Sequence, residues 1–315
     1  MWLIVVFCLL YVTVIPLTGS ALVKHTGLIL AFYAYIAQTW NLIGGLTGLF
    51  AANHGVWQGI AAYCTVIATT KLGMSIWMGL VITILLNGTL ALLVGLASAR
   101  MRGLYFVMCT IAIGQAVFSI AVNWMSFTGG MVGRSLHMRY TFIREFMFYI
   151  IFAMSVGMFV LFAFIRSSRF GTLMVSVREN ELFAKSLGIN TSLVKLLAMV
   201  SSAVLAGIGG FAYSVYIMVV HPSQLAGGIN MKIMVIVLVG GLGTVMGPAL
   251  GTLIILIDEI IRMTIGSRYA PLAVIIYAVI LITVVMFRPR GLASLKYFMP
   301  KQKPSVLRPP DQERT

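Results

Sequence analysis

Charge is what this chain has least of. Only 9% of its 315 residues are charged, against about 25% in an ordinary soluble domain. Just seven residues are acidic. That is too little charge to coat a water-facing surface of this size. Within the long apolar runs the only carboxylates are Asp258 and Glu259, near a segment end with Arg262 one turn on. A helix-end pair reaching water or that arginine is the simpler reading. A proton- or sodium-coupled carrier needs carboxylates or a polar cage at mid-membrane, so it is disfavoured. Cysteine is scarce too: Cys8, Cys64 and Cys109 all fall in apolar runs. Their spacing fits neither a disulfide framework nor a metal site. His25, His54, His137 and His221 are scattered over four segments, so no metal is expected. No Walker motif occurs, which excludes ATP hydrolysis by this chain. With no paired catalytic groups either, it reads as a non-enzyme that binds no cofactor itself. The N-terminal stretch MWLIVVFCLLYVTVIPLTGSA has no basic n-region and no clear A-x-A site, so it reads as a retained first span.

What is present is apolar sequence: 60% of residues are hydrophobic and the mean hydropathy is +1.03. Apolar segments fall at roughly 1–17, 28–45, 49–70, 74–98, 104–125, 146–165, 195–220, 231–246, 248–262 and 270–287. About 20 apolar residues make one helical span, and lipid cannot satisfy backbone polar groups, so these segments must be helices. The fold class is therefore an all-α polytopic membrane protein with roughly eight to ten spans. A glycine-proline run, Gly240 to Pro248, interrupts the stretch 231–262 and predicts two short or re-entrant halves. Residues 1–287 form one transmembrane domain, and 288–315 form a basic, proline-rich tail.

The net charge is +15, and its placement suggests an orientation. With ten spans, fourteen lysines and arginines share the side of the polar stretch 166–195, and eight, including Lys71 and Arg134, lie opposite. By the positive-inside rule, 166–195, both termini and the tail are cytoplasmic.

The polar stretch RSSRFGTLMVSVRENELFAKSLGINTSLVK (Arg166 to Lys195) stands out from the apolar chain. Within it, Arg178 to Asn190 has charges at its start and Gly188 at its close, the pattern of a short helix with a glycine stop. Leu182, Phe183 and Leu187 can form one apolar patch on adjacent faces. Such a helix suits insertion into a groove on a partner, although a solvated connector has the same composition. Arg166 to Val177 reads as the basic membrane exit that positions it.

RENELFAKSLGIN (Arg178 to Asn190) resembles the ATPase-coupling loop of permease subunits of bacterial ABC importers, in particular the branched-chain amino acid family, whose pattern is R-E-N-E…A-x-x-x-G-I-N. Ala184 and Gly188 take the A-x-x-x-G positions. RMRGLYFVMCTIAIGQ (Arg100 to Gln115), TGGMVG (Thr128 to Gly133), VGGLGTVMGPALG (Val239 to Gly251) and RPRGL (Arg288 to Leu292) are similar to further blocks of that family, in the family's order. One segment departs: GLFAANHGVWQG (Gly48 to Gly59) lacks the glutamine and serine of the usual G-Q-x-S-x-G-H-A-x-F.

The resemblance implies a permease subunit in a bacterial inner membrane, translocating branched-chain or related small amino acids. Its implied partners are a homologous second permease, two cytoplasmic ATPases that hold ATP and magnesium, and an extracytoplasmic binding protein. It implies that Arg178, Glu179, Asn180, Glu181, Leu182, Phe183, Ala184, Leu187 and Gly188 form the ATPase-coupling loop. Gly240, Gly241, Gly243, Thr244, Gly247 and Pro248, with Gln115, Thr128, Gly129 and Gly130, are candidates for the translocation path or a helix break. Close helix packing through small residues is the simpler reading of the glycines. A permease for urea, short amides or another small polar solute stays open, as does a secondary transporter or channel in which 166–195 is only a connector.

Overall fold

The computed structural model describes residues 21–98, 101, 103–136 and 141–265, with the isolated positions 279 and 286. The first apolar segment, the last one and the tail from 288 lie outside the described residues. So do the side chains of Asp258, Glu259 and Arg262.

The described chain is almost entirely helical. Its helices are α1 (Ala21–Thr47), α2 (His54–Thr70), α3 (Ile76–Ser98), α4 (Leu104–Asn123), α5 (Met125–Thr128), α6 (Thr141–Ser167), α7 (Arg169–Glu179), α8 (Glu181–Ser186), α9 (Thr191–Ile217), α10 (Gly227–Gly240) and α11 (Gly247–Ile265). The one sheet among the described residues pairs β1 (Arg134–Ser135) antiparallel with β2 (Val219–Val220). Among the described residues four helical stretches are long and apolar enough to cross a membrane: Ile76–Ser98, Leu104–Asn123, Phe146–Ser167 and Thr191–Ile217. The chain is thus a polytopic membrane protein. The interruption at Gly240 to Pro248 does separate two shorter apolar helices. At 1.5 Å per residue α10 is about 21 Å long, short of a hydrocarbon core of about 30 Å.

Helix α9 is the centre, touching α1, α2, α3 and α6. Lipid tails are as apolar as leucine, so helices here associate through close packing and hydrogen bonds rather than hydrophobic burial. The sequence of α9 supplies the small side chains this needs. Gly207 faces Asn87 of α3, Gly209 faces the ring of Tyr35 of α1, and Gly210 lies on the backbone of Gln58 in α2. Helix α3 shows the same logic from outside. Its buried positions are Ile76, Gly79, Thr83, Asn87, Ala91, Gly95 and Ser98, a seam of mostly small or polar residues every three or four positions. Most of its leucines, among them Leu85, Leu93 and Leu96, face outward.

Several polar groups in this core are paired across elements. The Tyr35 hydroxyl donates to the Leu205 carbonyl at 2.7 Å. His54 Nε2 shares a 2.8 Å hydrogen bond with Thr39 Oγ1, and Ser202 Oγ donates to the Thr39 carbonyl at 3.1 Å. Thr39 of α1 therefore ties α2, through His54, to α9, through Ser202.

The chain has two distinct ends. At one lie the C-terminus of α1, the α10–α11 turn, and α7 with α8. At the other lie α5, the strand pair and Lys71, whose ammonium donates to the Ser126 carbonyl and sits 5.1 Å from the Phe127 ring centre.

A Cβ at Gly210 would lie 2.6 Å from the Gln58 Cα, a backbone atom that cannot swing away, whereas one at Gly157 meets nothing within 4 Å. Gly210→Ala is expected to destabilise the protein by about 1–3 kcal/mol, the usual cost of overpacking. Gly157→Ala is expected to leave it unchanged. Thermal melts of the purified protein in detergent check both.

Candidate coupling surface and helix break

Three side-chain caps shape the polar stretch. Ser168 Oγ accepts from Gly171 N at 3.2 Å and opens α7. Asn180, with extended backbone at φ −157°, ends α7 and opens α8, its Oδ1 accepting from Phe183 N at 3.0 Å. Asn190 Oδ1 accepts from Leu193 N at 3.1 Å and opens α9. The short helix expected to open at the charges of Arg178 and Glu179 and close at Gly188 starts instead after Asn180. Arg178 and Glu179 end α7, because the Asn180 side chain takes the N–H group that a continuing helix would have used. The stretch expected to be only a basic exit is the helix α7, which buries Gly171, Met174 and Val177. Gly188 lies after α8 in the left-handed region at φ +81°, the usual glycine stop.

Helix α8 has only six residues, too few to persist alone. Charge anchors it. Glu181 Oε2 lies 2.8 Å from Lys195 Nζ, whose side chain is 8% exposed, and Oε1 lies 3.4 Å from Lys185 Nζ. Thr191 Oγ1 donates to Glu181 Oε1 at 3.3 Å. Ala184 is the one fully covered position. This leaves Leu182, Phe183 and Leu187 outward, 66%, 63% and 65% exposed. Phe183 and Leu187 border a groove of about 470 Å³ that Arg166, Val175, Glu179 and Asn180 complete. An apolar ridge of three exposed side chains therefore borders an open groove, the combination that a partner-binding surface uses.

The glycine-proline break is built by its own residues and by α1. Thr244 Oγ1 donates to the Gly241 carbonyl at 2.8 Å and accepts from Gly247 N at 2.9 Å. Gly241 and Gly243 have positive φ, +124° and +68°. Pro248 lies in the first turn of α11, where its missing N–H has no intrahelical role. From α1, Asn41 Oδ1 accepts from Gly243 N at 2.8 Å and its Nδ2 donates to the Thr244 carbonyl at 2.9 Å.

Arg178 brings the two motifs together. It turns inward, and Nη1 donates to the Gly45 carbonyl at 2.6 Å, near the end of α1. A Cβ at Gly243 would lie 2.9 Å from that Nη1, and one at Gly48 would lie 2.8 Å from Arg178 Cγ. Thr128, Gly129 and Gly130 are far from this junction, at the opposite end. There Thr128 Oγ1 donates to the Ala121 and Trp124 carbonyls at 2.7 Å and accepts from Gly130 N at 3.2 Å. Arg134 Nε donates to the Phe127 carbonyl at 2.9 Å. Gln115 lies apart from both groups, exposed on α4 with Ser119 and Asn123. Lys195 and Asn41 were not expected as parts of these sites. Their partners are 14 and about 200 positions away, beyond any helical periodicity.

A family model described as branched-chain amino acid transport system / permease component matches residues 26–286. The chain belongs to this permease family. Every element from α2 to α11 lies inside the matched range. The "High-affinity branched-chain amino acid transport system permease protein LivM" of Escherichia coli is 22% identical over 293 residues, 84% of this chain and 68% of that protein. The "Probable branched-chain amino acid transport permease protein LivM" of Methanocaldococcus jannaschii is 25% identical over 303 residues, 90% of this chain and 86% of the relative. No solved structure matches this member of the permease family.

The Glu181–Lys195 pair gives a test of how α8 is held. Glu181→Ala leaves the covered Lys195 ammonium without its carboxylate, at a cost of about 1–3 kcal/mol for an orphaned polar group. Adding Lys195→Met to Glu181→Ala is expected to recover most of that loss. Melting temperatures of the two single variants and the double variant in detergent check the cycle.

Proposed function

We propose that this permease is the transmembrane subunit of an ATP-driven importer for branched-chain or related small amino acids in a bacterial inner membrane. The exposed ridge Leu182, Phe183 and Leu187, anchored from behind by Glu181 and Lys195, carries this reading. A mere connector has no need of a buried ion pair to hold three large apolar side chains in water. On this account two cytoplasmic ATPases take the ridge and groove of this chain and of a homologous second permease, and an extracytoplasmic binding protein delivers the cargo. ATP and magnesium belong to the ATPases. Residues 1–287 act as one transmembrane domain, and the end bearing α8 faces the cytoplasm, in keeping with the positive-inside rule.

The second permease has a place to sit. Outward from α4 face Gln115, Ser119 and Asn123, separated by a helical turn each, with Ala112 and Ala116 beside them. Polar and small side chains on the outer face of a spanning helix are disfavoured against lipid and suit a helix interface or a water-lined path. We assign this face to the path between the two permeases. The glycines of the α10–α11 turn serve close packing in this chain, and Thr128, Gly129 and Gly130 close the opposite end.

Phe183→Asp and Leu187→Asp put charge on the ridge without touching a buried group. Both variants are expected to fold normally and to lose co-purification with the ATPases, with uptake of leucine, isoleucine and valine into proteoliposomes falling to background. Retained assembly and uptake in both variants would falsify the docking assignment. Competition by unlabelled urea rather than leucine would identify the cargo as a small amide.

A further inference from the structure

We propose that Arg178 is a positioning residue that transmits movement of α7 and α8 to the α10–α11 break. The inference rests on the importer reading and deepens it. The carbonyls of the last turn of any helix lack partners within it, and Gly45 lies in the last turn of α1. Arg178 supplies the missing donor from 133 positions away, at 2.6 Å. Its other edge is held by Glu179, whose Oε1 lies 2.7 Å from Nη2 and 3.2 Å from Nε. Glu179 borders the docking groove. The planar guanidinium therefore has one edge bonded to a residue that borders the groove and the other on the end of α1.

The surroundings leave room for this side chain and little else. Gly48 and Gly243 both have positive φ, +72° and +68°, and added Cβ atoms would lie 2.8 and 2.9 Å from Arg178 atoms. Gly243 is also bonded through its N–H to Asn41, one turn before Gly45 on the same helix. The side chain is bonded to the end of α1 and lies beside Gly48, in the lead-in to α2, and Gly243, in the turn between α10 and α11. A displacement of α7 must drag the end of α1, and with it the Asn41–Gly243 bond, or break a short charge-assisted hydrogen bond. Lysine would keep the charge but not the two-edged fork, so it is a poor substitute. Arg178 faces the junction rather than the groove, so its loss is expected to uncouple the machine rather than disassemble it.

The test uses the full complex in proteoliposomes: both permeases, both ATPases and the binding protein. Co-purification, ATP hydrolysis and leucine uptake are measured for the unaltered protein, Arg178→Gln, Arg178→Lys and Gly243→Ala. The three variants are expected to retain the ATPases. Leucine moved per ATP is expected to fall about fivefold or more in Arg178→Gln and Gly243→Ala, the lower end of ordinary coupling effects, and less in Arg178→Lys. Uptake per ATP unchanged in assembled Arg178→Gln overturns the proposal. So does loss of the ATPases from Arg178→Gln, which would make Arg178 a docking residue. If Arg178→Gln fails to fold, Arg178→Lys decides by the same ratio, and an unchanged ratio overturns the proposal. If the unaltered chain retains no ATPase, the importer reading fails and the transmission role falls with it.

Discussion

A backbone amide in lipid has no water to fall back on, and the arrangement of this chain follows from that constraint. Helices satisfy their own interiors, but this chain breaks its helical course between α1 and α2 and again between α10 and α11. At each break a side chain from elsewhere takes the freed group. Ala52 N donates to Thr110 Oγ1 at 3.1 Å, Trp40 Nε1 donates to the Ala51 carbonyl at 2.7 Å, and Gly55 N donates to Asn230 Oδ1 at 2.5 Å. Asn41 takes both a donor and an acceptor of the α10–α11 turn, and Arg178 takes the end of α1. Satisfying the breaks therefore also staples distant helices together.

Packing divides the molecule into a tight part and a loose one. Helices α1, α2, α3 and α9 meet through glycine, alanine and hydrogen-bonded polar groups, and leave no room for a Cβ at Gly209 or Gly210. Helix α4 buries little beyond Phe106, Thr110, Gly114 and Ala121. Helix α8 is attached through one covered alanine and a charge cluster. The centre is thus well packed, α4 is loosely packed against it, and α8 is held to it by charge rather than by buried area.

Much of the fold was legible in the residues. Apolar runs located α1 to α4, α6 and α9, with ends within about seven positions, since a backbone in lipid must be helical wherever the side chains are apolar. Gly240 to Pro248 marked the α10–α11 break, because glycine and proline punctuate helices directly. The ridge Leu182, Phe183 and Leu187 followed from helical spacing. The division at Asn180 did not, because an asparagine that caps looks in sequence like one that is solvated. Nor did the inward turn of Arg178, the anchor Lys195 for Glu181, or the grip of Asn41 on Gly243. Those pairings join segments brought together only by tertiary packing, and no local period announces them.

The central claim is that the docking helices and the α10–α11 break move as one body through Arg178. Distance between nitroxide labels at Ser186→Cys on α8 and Leu253→Cys on α11 tests it most directly, in the assembled complex with native cysteines replaced. The account predicts one unchanged distance distribution in nucleotide-free and ATP-trapped states, and a shift between those states once Arg178→Gln is added. A distance that changes with nucleotide as much with Arg178 present as without it would contradict the account.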